Sequence, residues 1–447
     1  MRQQNPGTQP LKMSHGMRRR ALALFLAPML AGQAIAAPLW AADGSAALSL
    51  PALLEEVRRV NPALLAARKR WEAAQAKVPL SKGLPAPRIG LEFEEIPRGT
   101  VKLNQATLIY QLIQSLPFPG KLSLRHQVAV KEAQVAAMMY KQAEWDLVSQ
   151  AKAAYYDLYL LDRELEVQQE QLLWLEQAVG AAHARYASGT ATQVELLTVQ
   201  AEALEASTMR SVLLNRRQAM VAHLNHLLNR ASHEPFGEPG PIPLAPLPLS
   251  PDELLLVAQE RQPELLAFRY SAERAEAGWR LAKRELWPDL ETMIELRDPA
   301  MGPIGPWDLT LALVLPFWFW TKQRYGVRAA LYDKESAQAA YRAMQSEIAK
   351  RIHEHWHEAQ AAYARAKLGQ EGLIPLGRQA VGSALAAYQG GRGSFMELLN
   401  ALLRLSERER TSYQHLIALE QHVVMLEQSV GFPLRDIHQE QARGGVR

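Results

Sequence analysis

Three histidines at alternate positions, His353, His355 and His357, are the residues whose type and spacing best suit metal binding. His353 and His357 are one helical turn apart and could hold a metal ion on one helix face. No third ligand follows at a suitable spacing, so we interpret these two as surface histidines and place His355 inward. The chain also lacks a nucleophile elbow and a phosphate-binding loop. The sequence therefore predicts neither an enzyme nor a bound cofactor.

Apolar residues alternate with polar ones, many of them acidic, in short runs that favour β-strands. The four runs are Arg88–Ile96, Ala106–Gln114, 289–297 and 307–315. If the apolar faces contact lipid, the acidic side chains line a lumen and favour cations. The alternative is a lumen that is polar without being selective. The candidate lumen acids are Glu92, Glu94, Asp289, Glu291 and Glu295.

An export signal is indicated by Arg18-Arg19-Arg20, a short apolar run and the small-residue pattern Ala34-Ile35-Ala36. Residues 1–36 contain five basic and no acidic residues, which leaves 45 basic and 46 acidic residues after them. That balance removes the case for nucleic-acid binding. The chain has no cysteine, so we expect neither disulfides nor a lipid anchor. No later stretch reaches about 18 consecutive apolar residues, so no transmembrane helix is expected.

The chain repeats itself at an offset of about 200 residues. Pro51 and its helical pattern recur at Pro251, and Leu116–Phe118 recurs at Leu315–Phe317. Prolines and glycines align in order, which chance similarity between alanine- and leucine-rich helices would not produce. We predict a signal peptide at 1–36 (alternative cleavage near 42), a first repeat at 37–233, a proline-rich linker at 234–250, a second repeat at 251–432 and a polar tail at 433–447.

Each copy reads as a helix, two strands, a long helix and a return helix. The long helix of the first copy, from about Gly120 to Tyr186, has small and apolar residues in steps of four and three. A sustained seven-residue period predicts a left-handed coiled coil. At about 1.5 Å per residue this helix spans roughly 100 Å, which suits a rod or the wall of a tube.

Four strands cannot close a barrel around any space, and lipid does not tolerate open sheet edges. If the strands cross a bilayer, other copies of the chain must complete the barrel. The predicted fold is therefore mainly α with a small β part. It comprises a helical coiled-coil barrel and four strands per protomer of a trimeric, twelve-stranded transmembrane β-barrel.

At this point the sequence resembles the TolC family of outer-membrane efflux proteins over about residues 50–432. The resemblance is carried by the Pro117–Lys121 turn with Leu124-Arg125, and by the Tyr186-x-x-Gly189 and Tyr388-x-x-Gly391 breaks. The first motif is similar to the heavy-metal branch. The resemblance implies a homotrimer in the outer membrane that extends into the periplasm. Its implied partners are a periplasmic adaptor and an inner-membrane pump of the resistance-nodulation-division class.

The resemblance also implies roles for particular residues. The two breaks are hairpin tips that dock the adaptor: Tyr186, Gly189, Tyr388 and Gly391. Residues just after each tip match the periplasmic gate of the family: Glu397, Asn400, Glu195 and Thr198. Pro375 is a candidate helix hinge, because proline and the nearby glycines weaken a helix locally.

The sequence is also compatible with other functions. Within the class, the duct would serve multidrug efflux or type I protein secretion instead of metal export. Outside it, the chain would be a periplasmic coiled-coil scaffold without a pore.

Overall fold

The fold is mostly helical, with four strands in one sheet. The computed structural model describes residues 48–94, 106–297, 307–389 and 392–435. The predicted signal peptide, its cleavage sites, Gly391 and the tail beyond residue 435 lie outside these residues. Within them, no helix combines the length and the apolar character needed to cross a bilayer.

The two copies follow the same order of elements, which confirms the predicted mainly α fold with an internal repeat. The first copy comprises α1 (Leu50–Val60), α2 (Pro62–Leu80), β1 (Arg88–Glu94), β2 (Thr107–Leu116), α3 (Lys121–Ala187) and α4 (Gln193–Leu227). The second comprises α5 (Pro251–Arg261), α6 (Pro263–Arg284), β3 (Asp289–Arg297), β4 (Trp307–Val314), α7 (Arg324–Leu368), α8 (Ile374–Gln389) and α9 (Phe395–Val430).

Each copy opens with two helices where the sequence pattern indicated one. The break falls before Pro62 and before Pro263, because the residue preceding a proline is disfavoured in the helical region. Asn61 caps the second helix: its side-chain oxygen accepts hydrogen bonds from the backbone N–H of Ala63 at 2.9 Å and Leu64 at 3.3 Å. Gln262 caps α6 in the same way by accepting from the N–H of Leu265, so a side chain caps the new helix at each break.

The long helix α3 runs for 67 residues and is covered on two sides along its length. Its predicted seam is buried, with Ala151, Ala154 and Leu158 each no more than 2 % exposed. Near the sheet α3 packs between α2 and α6, and near its C-terminal end it packs between α4 and α9. The small seam residues permit this close approach.

Polar contacts fix the register between α3 and α9. Gln414, Gln421 and Gln428 are seven residues apart on α9, and each donates a hydrogen bond at 2.7 Å to a carboxylate of α3. Beside them, Lys152 forms a buried ion pair with Glu427 at 2.5 Å. Removing one partner of such a pair typically costs ~3–5 kcal/mol, whereas the intact pair adds little net stability. These contacts therefore hold the two copies in one alignment.

The helices form two open rows. Near the sheet the order is α2, α3, α6, α7, and near the far end it is α4, α3, α9, then α7 and α8. The outer helices of the two rows are α2 and α7 near the sheet and α4 and α8 near the far end. Each has one side that the neighbouring helices of the chain leave uncovered. The sheet has the same property, because its order β1-β2-β3-β4 leaves β1 and β4 at the edges.

The sheet separates polar from apolar side chains. Antiparallel pairing sets Leu91 opposite Tyr110, Leu112 opposite Ile294, and Ile294 opposite Leu309. These residues share one face, on which Ile89 is 80 % exposed and Leu311 64 % exposed. An exposed apolar face of this extent marks a surface that contacts lipid or another protein. The predicted alternation is confirmed for β1 as far as Glu94; residues 95 and 96 lie outside the described part.

Candidate functional site

The first hairpin tip lies between α3 and α4. Gly189 has a φ of +71°, a conformation that residues with a Cβ rarely adopt, as the sequence predicted for a tight helical turn. The carbonyl of Arg185 accepts hydrogen bonds from the N–H groups of Thr190 at 2.9 Å and Ala191 at 3.2 Å. Tyr186 is 44 % exposed beside this turn. The chain therefore reverses direction within five residues.

The second tip, between α8 and α9, repeats this geometry. The carbonyl of Ala387 accepts hydrogen bonds from Arg392 N–H at 2.9 Å and Gly393 N–H at 3.0 Å. Gly393 fits closely there, because a Cβ would lie 3.1 Å from the backbone nitrogen of Tyr388 and the turn would have to shift to accommodate it. Gly391, the glycine identified from the sequence, lies outside the described residues.

The two candidate gate glutamates have a structural role that the sequence reading missed. Glu397 accepts a hydrogen bond from the N–H of Ser394, and its own N–H donates to the Ser394 hydroxyl, both at 3.1 Å. Glu195 and Thr192 form the same capping box at 3.2 Å. The spacing Ser/Thr-x-x-Glu at a helix start was the available signal. Each carboxylate is therefore held in place at the first turn of its helix.

Glu397 belongs to an exposed stripe on α9. The stripe continues at spacings of three and four through Asn400, Arg404 and Glu407, all exposed. Because α9 packs against α3 on one side and against α7 and α8 on another, this stripe faces neither neighbour. The stripe mixes both signs of charge, because Arg404 lies between Glu397 and Glu407. Thr198, the counterpart of Asn400, is half-exposed, and its hydroxyl donates to the Val194 carbonyl at 2.8 Å.

A single arginine joins the two tips. Arg185 donates a hydrogen bond to the hydroxyl of Tyr388 at 2.8 Å, and its guanidinium carbon lies 5.2 Å from the centroid of that ring. A second nitrogen of Arg185 donates to the carbonyl of Thr190 at 3.3 Å. Tyr388 also packs edge-on against Phe395 at 5.8 Å. The sequence identified Tyr388 as a tip residue but gave no signal for its partner.

A cavity of about 180 Å³ lies between the two hairpins, on the other side of α9 from Glu397. Its lining is mostly apolar: Trp174, Leu175, Leu385, Phe395, Leu399 and Leu402. Trp174 is 42 % exposed at its rim. An apolar cleft with an exposed aromatic side chain suits the docking of a protein surface.

Pro375 lies in the first turn of α8, directly after a π-helical segment, Gly369–Leu373. A wide turn here relieves the clash that proline makes with the preceding turn, so the helix continues through it. Gly369 and Gly377 face α9: a Cβ on them would lie 2.7 Å from Ser412 Oγ and 3.0 Å from Leu405 Cδ1. These two glycines thus permit close packing, a role absent from the sequence reading. The hinge at Pro375 stays a prediction.

The second copy is longer than the first between equivalent points. Phe317 to Tyr388 spans three residues more than Phe118 to Tyr186. Both long helices nevertheless leave the same end of the sheet, where Leu290 pairs with Leu116 and with Leu313. Two π-helical segments, Phe319–Gln323 and Gly369–Leu373, lie in the second copy, and each wide turn absorbs an extra residue.

All five candidate lumen acids lie on the polar face of the sheet. Gln111 donates hydrogen bonds to Glu295, at 2.8 Å, and to Glu92. Arg88 pairs with Glu291 at 3.2 Å. Glu94 lies 3.9 Å from Arg297. The face therefore keeps an acidic excess but is partly neutralised.

Asp289 differs from the other four acids. It accepts hydrogen bonds at 2.7 Å from the buried Lys121 ammonium and from the N–H of Phe118. Lys121 also donates to the carbonyl of Trp287 at 2.8 Å. These bonds join the start of α3 to the start of β3, so Asp289 secures a junction and contributes little free charge to the polar face.

The three histidines differ in their exposure. His353 and His357 are exposed, with ring centroids 6.5 Å apart, and His355 is half-buried as predicted. His355 lies 5.8 Å from His422 on α9, and burial lowers the pKa of both. Within the described residues, no group of three or more histidine or acidic side chains could hold a metal ion.

Comparison with known families decides the identity of the fold. The family model for outer membrane efflux proteins matches residues 53–230 and again residues 254–431. The chain belongs to the outer membrane efflux protein family. It is an outer-membrane efflux channel and not an enzyme, and the two matches correspond to its two copies.

Individual relatives agree with this assignment. The outer membrane efflux protein BepC of Brucella suis is 23% identical over 378 residues, which cover 80% of each chain. The solved structure of VceC from Vibrio cholerae is similar with a TM-score of 0.74 and 19% identity, over 86% of this chain and 96% of that one. CmeC from Campylobacter jejuni gives 0.70 and 13%, over 88% and 89%. These structures share the fold.

We expect that Arg185→Ala opens the tip of this efflux channel. The substitution removes a charge-assisted hydrogen bond worth ~1.5–3 kcal/mol, so open forms should become roughly ten- to a hundredfold more populated. Single-channel conductance in planar bilayers is the measurement. Tyr388→Phe, which removes only the accepting hydroxyl, should act in the same direction, whereas Arg216→Ala, far from the tips on α4, should not. Unchanged conductance in both tip variants would show that this contact does not restrain the tip.

Proposed function

We propose that three copies of the chain close into one continuous duct that conducts substrate passively across the periplasm and the outer membrane. The observation that carries this proposal is that the sheet and both helical rows have uncovered sides at the same two borders of the chain. Joining β4 of one copy to β1 of the next removes every open edge, as lipid requires. Family members work as trimers with efflux partners, which supports the number three.

Side chains along α4 support the same assembly. An exposed stripe on this helix carries no charge, and Val194 and Leu204 on it are 72 % and 69 % exposed. Its members recur at coiled-coil spacing: Val194, Leu197, Ala201, Leu204, Thr208 and Val212. The uncovered side of α8 offers mostly small, neutral residues: Gln379, Gly382, Ser383 and Ala386. Large residues on α4 and small ones on a neighbouring α8 suit close packing.

Within this duct, the tips form the periplasmic end. Glu397 and Asn400, with Glu195 and Thr198 as their first-copy counterparts, would encircle the entrance as the gate. Three copies of Glu397 near one axis would repel one another and attract cations. Tyr186, Gly189, Tyr388 and Gly391 would dock a periplasmic adaptor, which links the duct to an inner-membrane pump of the resistance-nodulation-division class.

The proposed cargo is a heavy-metal cation. Two features support it: the similarity of the Pro117–Lys121 turn to the heavy-metal branch, and the acidic excess on the polar face of the sheet. Multidrug efflux and type I secretion need the same duct and are the alternatives. Weak contact between duct and cargo suffices, because the pump supplies the energy.

Trimer formation should depend on the apolar stripe of α4. Leu204→Glu places a charge where a neighbouring helix would cover it, and burying an unpaired charge costs several kcal/mol. The variant should run as a monomer in native mass spectrometry from detergent, whereas Leu204→Met should stay trimeric. A stable trimer of Leu204→Glu would contradict the assignment of this stripe.

Cation preference should follow from the polar face of the sheet. In planar bilayers with a salt gradient, the reversal potential should indicate preferred passage of cations. Neutralising Glu92 and Glu295 to Gln should reduce that preference, because these two acids bond to the uncharged Gln111 and, within the described residues, to no basic side chain. The matched pair Glu260→Gln and Glu354→Gln, on helix surfaces, should leave it unchanged. An anion-preferring pore would refute the proposed selectivity.

Deleting the gene for this chain in its host tests which cargo the duct exports. The strain should become sensitive to divalent heavy-metal ions, because their export would lack its outer-membrane step, and a plasmid copy should restore growth. Minimum inhibitory concentrations of metal salts, dyes and detergents are the measurement, with secreted protein compared in parallel. Sensitivity to dyes alone would favour multidrug efflux, and a missing secreted protein would favour type I secretion.

A further inference from the structure

Basic residues are concentrated where the helices meet the sheet. Four segments adjoin the strands: residues 75–87, 117–128, 278–288 and 315–328. Together they hold ten lysines and arginines but only one acidic residue, Glu285. The chain beyond residue 36 has nearly equal numbers of both charges, so this zone, the basic collar, is a strong local departure.

Few of these charges are neutralised inside the chain. Lys121 pairs with Asp289, and Arg280 pairs with Glu276. Within the described residues, Lys77, Lys322 and Arg324 form no ion pair, and all three are exposed. Like charges crowded together repel one another unless an anion binds among them.

The position of the basic collar in the fold indicates which kind of anion it would bind. The collar lies directly beside the apolar face of the sheet, and its segments extend no more than about 20 Å along their helices. Aromatic side chains are exposed at the same border: Trp287 is 52 % exposed, Trp318 71 % and Tyr325 61 %. Aromatic rings next to basic residues are typical of the headgroup layer of a bilayer. The polar face of the sheet, by contrast, is acidic and would repel an anion.

A cleft in the collar is large enough for one headgroup. Its volume is about 550 Å³, and it lies between the starts of α3 and α7 and the end of α6. Arg125 and Lys322 supply positive charge in its lining, and Trp287 and Trp318 supply aromatic surface. Glu285 and the Lys121–Asp289 ion pair also line it, which leaves one more basic than acidic residue. Guanidinium and ammonium groups are the usual partners of a phosphate diester.

We propose that the basic collar binds anionic phospholipid headgroups of the periplasmic leaflet and so fixes the depth of the channel in the outer membrane. The proposal rests on the membrane placement of the sheet under the proposed function. It adds a lipid class and a binding surface: the duct would prefer membranes with anionic phospholipid over neutral ones, and the preference would weaken with salt.

The test compares two vesicle compositions, phosphatidylcholine alone and phosphatidylcholine with phosphatidylglycerol, using the purified full-length channel. The channel should partition more strongly into the vesicles containing phosphatidylglycerol. The triple variant Lys322→Gln, Arg324→Gln, Arg328→Gln should lose on the order of tenfold or more of that preference, because each basic residue near an anionic surface contributes several-fold. A matched variant on the same helix, Lys350→Gln, Arg365→Gln, Lys367→Gln, should keep it.

Three outcomes would overturn the collar: equal partition of the unmodified channel into both vesicles, an unchanged preference in the collar variant, or an equal loss in the matched variant. Conductance across neutral phosphatidylcholine bilayers distinguishes a failure of the lipid-binding proposal from a failure of the duct proposal. Pores that form there without any lipid preference would leave the duct standing and refute the collar. No pores in either lipid would refute the duct.

Discussion

A helix of 67 residues cannot bury its own apolar seam, and the rest of the structure depends on how that seam is covered. α3 solves this by packing between other helices along its full length, first α2 and α6 and then α4 and α9. Each of those helices then has a seam of its own to cover. The outermost helices are α2 and α7 near the sheet and α4 and α8 near the far end, and the described part of the chain has no further helix to cover their outer sides. The uncovered sides result from the length of one helix.

The sheet meets the same difficulty with hydrogen bonds instead of apolar surface. β1 and β4 each present a row of backbone groups on their outer side, and these groups need partners away from water. The edges and the uncovered helix sides belong to the same outer elements of the two copies. One mode of association would therefore satisfy both.

Much of this fold could be predicted from the sequence, for physical reasons. The seven-residue period marks α3 because packing requires it, and alternation marks the strands because one face is apolar. The aligned prolines marked the repeat, although the break before Pro62 showed that one predicted helix was two. Long-range partners had no such signal. Nothing in the local sequence pairs Arg185 with Tyr388, or Asp289 with Lys121, because those contacts depend on the three-dimensional path of the chain. Glu397 lies between these cases. The Ser394-x-x-Glu397 spacing indicates its capping role, but its exposed neighbours of both charges follow only from the packing of α9.

The π turns of the second copy make the two hairpins mechanically unequal. Each turn stores one residue more than an α-helix would over the same height. Every residue returned to α geometry would rotate the remainder of its helix by roughly 100° and advance it by about 1.5 Å. α3 runs as α-helix throughout and holds no such reserve. The two copies thus differ in kind: one long helix is α-helical throughout, whereas its counterpart contains π turns whose extra residues can be exchanged for rotation and rise.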